Sequence, residues 1–242
     1  MGIQKQHGFT IIEVMLFVAI SAVVTTAALI GWSTNINTQS YRDSARSLAS
    51  VLGQQYTNTL NVSNDRSSEV NCTAAGVVDT SKTPIGQSDC VLMGRYIVLD
   101  GTKLTMSNII GYGNSTSSSD IDAIEAYSPK TDPDTSSYSL PWSSRPYPSG
   151  AQKANTLHAV IVIVRSPVSG TAYTFIETTD DSEDRPTVNS VIDSSSSQRR
   201  FVVCLDPEAT VTGGSLAVVI DKYAASSSAV SVSSGESSCG NI

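Results

Sequence analysis

One carboxylate stands where a charge is expensive. Between Phe9 and Trp32 the only charged side chain is Glu13. An acid at the centre of a membrane segment costs about 2.5–3.5 kcal/mol on insertion scales, and less near an end, so its presence needs a chemical reason. Hydrolysis of the Gly8–Phe9 bond would supply one. The new α-amino group of Phe9 is a cation one helical turn from Glu13. Within its own chain it would sit at the positive end of the helix dipole, where a cation is poorly placed. An adjoining copy, shifted along the axis, could offer its own Glu13. Such a buried pair between chains would set the register of a helical polymer.

Other reactive groups are few. Cys72, Cys90, Cys204 and Cys239 allow three pairings, and no Cys-x-x-Cys or nearby histidine suggests zinc. Outside the cytoplasm disulfides are the default. The pairs nearest in sequence, Cys72–Cys90 and Cys204–Cys239, are favoured, and each closes a loop that would contribute roughly 3–4 kcal/mol. A nucleophilic triad needs a general base, and beyond the leader only His158 remains, beside a β-prone run where a structural role is expected. There is no Gly-x-Ser-x-Gly elbow, P-loop or dinucleotide fingerprint. The expectation is therefore no enzyme, no metal and no cofactor. Asp180, Asp181, Glu183 and Asp184 carry oxygen ligands but no EF-hand spacing, and read as a solvated turn. Arg199-Arg200 is the only adjacent basic pair.

The elements that must position these groups begin with the apolar run itself. As a helix, Phe9–Trp32 would be about 36 Å long, enough to cross a hydrocarbon core of about 30 Å. A secretory signal peptide has a shorter apolar stretch, followed by its cleavage site. A plain signal anchor explains the length but neither Glu13 nor the short polar leader. Beyond Trp32 a helical rhythm continues. Tyr41, Ala45, Leu48, Leu52, Tyr56 and Leu60 form one apolar face, with Arg42, Asp43, Arg46 and Gln55 on others. No proline interrupts, so one helix is predicted from about Thr10 to Leu60.

The stretch Gly8-Phe9-Thr10-Ile11-Ile12-Glu13-Val14 resembles the class III signal of type IV pilins and pseudopilins. The resemblance implies cleavage after Gly8 by a prepilin peptidase, methylation of Phe9, and an assembly role for Phe9 and Glu13. It also implies other pilin subunits, an assembly ATPase and a platform membrane protein as partners. The precursor would lie in the cytoplasmic membrane with Lys5 inside, and the mature chain in a surface filament serving adhesion, motility or DNA uptake. Phosphate contact by Arg199 and Arg200, as in a DNA-binding competence minor pilin, is a further implication, set against the commoner reading of such a pair as a solvated strand end. Two departures stand out. His7, rather than Lys or Arg, precedes the glycine, and no Gly or Pro interrupts the run before Gly31.

The expected organisation is a leader (1–8), a membrane and polymerisation helix (9–34), its amphipathic continuation (35–62) and a globular head (63–242). The fold class is α+β, a long helix packed on an antiparallel sheet. The head begins with a loop over Val62–Asp89. Next comes a hairpin, Val91–Leu99 and Thr102–Ile110 about Asp100-Gly101, then an irregular Pro- and Ser-rich segment over Gly111–Asn155. In that segment Asp122–Tyr127 could be a short helix, and Trp142 and Tyr147 either form a contact surface or pack as a lid. Leu157–Arg165 should be a central strand, with Ala172–Glu177, Phe201–Leu205 and Ser215–Asp221 as further strands. The Ser-rich tail from Ala224 should be loose unless Cys239 ties it down, much as in the disulfide-bounded C-terminal region of many pilins. Only 15% of residues are charged and the net charge is −7, or −8 without Lys5. That balance disfavours nonspecific nucleic-acid or anionic-membrane binding by the body as a whole. Within the resembled family, the run Tyr41–Leu52 followed by strands weakly resembles H-type minor pseudopilins of type II secretion.

Overall fold

The computed structural model describes residues 10–61, 71–72, 78–79, 90–113, 117–141, 144–153, 155–179, 185–194, 199–207, 214–234 and 239. One helix, α1, runs unbroken over Ile11–Asn61. At 1.5 Å per residue its 51 residues span about 77 Å. The predicted stripe is buried: Tyr41, Ala45, Leu48, Leu52 and Tyr56 are each at most 5% exposed, while Leu60 lies at the rim. Gln55 lies off that stripe, as predicted, yet is not exposed. It is buried along with Ser44 and Thr59, because two sheets embrace this half of the helix and cover more than one stripe. Its amide donates to the Val51 carbonyl at 3.2 Å, so burial does not strand that donor.

After a short bridge, β1 (Asn71–Cys72) with β2 (Val78–Asp79), comes the hairpin β3 (Val91–Asp100) and β4 (Lys103–Gly111). Asp100 pairs with Lys103, so the two turn residues are Gly101-Thr102, one place later than the sequence suggests. Gly101 has φ +53° while Thr102 keeps negative φ, a turn with glycine at its first central position. Three further strands, β5 (Lys130–Ser139), β7 (His158–Arg165) and β8 (Ala172–Thr179), complete an antiparallel sheet in the order β5-β4-β3-β7-β8. Ile97, Leu99, Leu104, Ile161 and Ile163 face α1. Tyr96, Val98, Val160, Val162 and Phe175 face the opposite way, with Ile124 of α2 (Asp120–Ala126) and Val191 of α3 (Val188–Asp193). Both faces are covered, which is why β7 is apolar at consecutive positions.

The Pro-rich segment holds more regular structure than expected. It contains α2, the ten-residue strand β5 (Lys130–Ser139) and β6 (Arg145–Pro148). The prolines are tolerated because both strands are sheet edges. Pro133 falls where the β4–β5 register slips, between Thr131 and Thr135. Pro146 and Pro148, two residues apart, share one side of β6, and the Pro146 carbonyl accepts from Leu157 N–H at 3.3 Å. Tyr147 is not a surface contact. It is 2% exposed and packs against the second sheet, while Trp142 lies outside the described residues.

That second sheet has the order β11-β10-β9-β6, with β9 at Phe201–Asp206, β10 at Leu216–Ile220 and β11 at Val230–Ser234. The tail is therefore not loose over its first part, since β11 pairs along all of β10. Phe201, Val203, Leu205, Val218 and Ile220 close on the other side of α1. Tyr41 fastens this sheet to the helix. Its hydroxyl donates to the Leu205 carbonyl at 2.8 Å and accepts from the Leu216 amide at 2.7 Å. Burial pushes its pKa up to about 12, so it stays a donor at any physiological pH. Tyr41→Phe leaves both backbone groups unpartnered. It should cost about 1–3 kcal/mol in a denaturant titration of the detergent-solubilised protein, with m unchanged.

Candidate functional site

Among the described residues, the amino-terminal half of α1 is covered by nothing. Over Ile11–Leu29 it is long and apolar enough to cross a membrane, and none of it is buried. Ile11, Ile12, Met15, Phe17 and Val23 are each about 70% exposed or more. A continuous apolar surface of this size marks a lipid or protein contact. Two of its hydroxyls are satisfied locally: those of Thr25 and Thr26 donate to the Ser21 and Ala22 carbonyls, both at 2.8 Å.

At its start Glu13 is not alone. Thr10 N–H and Thr10 Oγ1 both donate to Glu13 Oε2 at 3.0 Å, and the Glu13 amide donates back to Thr10 Oγ1 at 3.3 Å. Thr10 accepts the first helical bond, from Val14 N–H, so it is the cap residue and Glu13 lies three beyond it. This reciprocal exchange is a capping box. The signal is present in the sequence as Thr10-x-x-Glu13, so Glu13 has a partner within its own chain as well as the one expected from a neighbouring copy. Gly8 and Phe9 lie outside the described residues.

In the head, Cys204 and Cys239 are bonded, with Cα atoms 5.8 Å apart, and join β9 to the tail as expected. Cys90 is also disulfide-bonded, and the side chain of Cys72, its expected partner, lies outside the described ones. His158 has a structural place at the hairpin end, with Nδ1 3.0 Å from Asp100 Oδ1. Among the described residues no group of three or more His, Cys, Asp or Glu side chains could hold a metal. The acidic run Asp180–Asp184 lies outside them. Arg199 and Arg200 are both exposed and line a cleft of about 820 Å³ between the two sheets.

Sequence reasoning also missed a cluster around Asp120. Ser166 Oγ and Tyr173 OH each donate to its carboxylate at 2.6 Å, and Ser169 Oγ donates at 2.9 Å. Nothing in sequence links positions so far apart. The bonds tie α2 to the β7–β8 turn. Donation from Ser166, then Tyr173, holds the Asp120 carboxyl below the usual aspartate range. A depressed folded-state pKa contributes stability above the unfolded value and loses it as pH falls through the folded one. The melting difference between wild type and Asp120→Asn should therefore be constant above about pH 5 and shrink as pH drops below about 4. A difference that persisted unchanged to pH 2 would assign the effect to packing rather than charge.

Residues 3–29 match the family model described as the prokaryotic N-terminal methylation motif, the class III signal of type IV pilins and pseudopilins. It is joined here to an α+β, pilin-like architecture, an apolar amino-terminal helix continuing into an antiparallel β head. No curated protein and no solved structure matched the chain.

Proposed function

We propose that this protein is a structural subunit of a type IV pilus-like surface filament. A prepilin peptidase cleaves it between Gly8 and Phe9, Phe9 is methylated, and the exposed half of α1 bundles with its counterparts in other subunits. The observation that carries this reading is the continuity of α1: one rigid rod is bare and apolar for its first half and clamped between two sheets for its second. Such a rod can be held by a bilayer and then by like rods, without the head refolding. The precursor waits in the cytoplasmic membrane, and an assembly ATPase with a platform protein extracts it. Adhesion, motility and DNA uptake are the roles open to such a filament, and the subunit itself is not an enzyme.

A second reading, a minor pseudopilin of a type II secretion system, is favoured by the size of the head, which carries a four-stranded sheet beside the five-stranded one. The test is intact mass and amino-terminal sequencing of the protein from its native cells, with its location recorded in the same samples. A mature form beginning at N-methylated Phe9 in sheared surface filaments supports the pilus reading. The same form retained in the envelope supports the pseudopilus. A chain starting at Met1, or beyond Ala22, overturns both.

A further inference from the structure

None of the described residues lining the cleft between the sheets belongs to α1, the element on which the proposed assembly rests. The walls of the cleft come from the end of β6, the start of β7, the end of β8 and the start of β9. At about 820 Å³ it is within the range of small-ligand sites. Arg199 and Arg200 stand at its edge, and among the described residues neither has an ion-pair partner. None of its described lining residues is acidic, on a chain whose net charge is −7. Beside the arginines, Asn155, Thr156 and Thr178 line the walls with amide and hydroxyl groups. His158 completes that wall, with its Nδ1 3.0 Å from the Asp100 carboxylate.

We infer that this cleft binds an acidic saccharide, its carboxylate or sulfate held by the two guanidinium groups and its hydroxyls by the Asn and Thr side chains. Guanidinium forks match planar or tetrahedral oxyanions through paired charge-assisted bonds. Polar walls suit a hydroxylated ligand better than an apolar one. A compact anion can enter a notch whose described fixed charges are both cationic, whereas a long polyanion must also lie along the acidic body that surrounds it. The site needs only the head, so it does not depend on whether the chain polymerises.

The experiment is calorimetric titration of the full-length protein in a nonionic detergent. The probes are 3′-sialyllactose, which carries a carboxylate, a chondroitin sulfate tetrasaccharide, which adds sulfate, neutral lactose, and a short DNA duplex. Binding of one or both acidic probes is expected, with lactose at least about tenfold weaker, and the pair separates carboxylate from sulfate as the preferred anion. Arg199→Ala with Arg200→Ala should weaken binding at least about tenfold while leaving the thermal melt unchanged, as expected for exposed side chains. The double Lys variant keeps the charge but loses the fork, and should recover only part of the affinity. The proposal falls if neither acidic probe binds, if the double Ala variant binds as wild type does, or if lactose binds equally well. Duplex binding with silent saccharides would overturn it in favour of a nucleic-acid contact.

Discussion

Glu13→Gln should leave insertion and cleavage intact and cut the yield of sheared surface filaments by about two orders of magnitude. The choice of glutamine follows from the geometry. In the single chain Glu13 accepts from the Thr10 amide and hydroxyl, and glutamine can serve as well at the third position of a capping box. The helix start is therefore preserved while the charge is removed. In a filament core the cation left behind, the amine of Phe9 on an adjoining copy, would be buried without a partner. Breaking a buried pair in this way costs about 3–5 kcal/mol, and 2.7 kcal/mol is already about a hundredfold in an association constant. Glu13→Ala should fail equally, having lost cap and charge together. Immunoblots of sheared and cell-bound fractions, normalised to the cleaved subunit, give the readout. If Gln assembled like wild type and Ala did not, the cap alone would explain the residue, and pairing between copies would be wrong.

The capping box also bears on what precedes assembly. A carboxylate near the membrane surface that already accepts two bonds from its own chain is less costly to hold there than a bare one. Assembly by charge pairing then need not rescue a strained acid. It has to offer Glu13 something better than Thr10, or share it.

How far the sequence could be read depended on the range of the interactions involved. Local periodicity was legible: the stripe from Tyr41 to Tyr56 is buried as spaced, and β7 is doubly covered as its unbroken apolar run implies. Short-range turn chemistry was legible to within one residue at Gly101. What failed depended on neighbours distant in sequence. Proline at 133, 146 and 148 argues against strands only until those strands are known to be edges. Tyr147 reads as a possible contact until β9 is placed beside it. The pairing of β11 with β10 converts a Ser-rich tail into a strand whose side chains need little apolar character, since it too is an edge. At the amino terminus, the cap formed by Thr10 is legible as a four-residue pattern, whereas the grip of Ser166, Ser169 and Tyr173 on Asp120 is not legible at all.

The heaviest penalty from a single methyl group should fall at Gly94. This residue sits inside β3, directly opposite Val164 of β7, one place after the bulge at Met93 in the β3–β4 register. A Cβ there would collide with the Ile163 carbonyl oxygen and with the backbone of Val164. None of these atoms belongs to a flexible side chain, so relief requires moving β7 away from β3. Those two strands are internal to the five-stranded sheet, and both of its faces are packed. Overpacking at a yielding site costs about 1–3 kcal/mol, and an unyielding backbone puts Gly94→Ala at or beyond the top of that range. For a head of this size, about 3 kcal/mol lowers the melting temperature by roughly 6–12 °C. Gly53 provides the contrast. It is helical, and an added Cβ would meet Ser227 only at ordinary contact distance, 3.6 Å. Gly53→Ala should therefore be neutral or stabilise by up to about 1 kcal/mol through helix propensity. The same methyl group should move the melt down at one position and not at the other. Equal shifts at both would mean that β3 and β7 do not approach as closely as this packing requires.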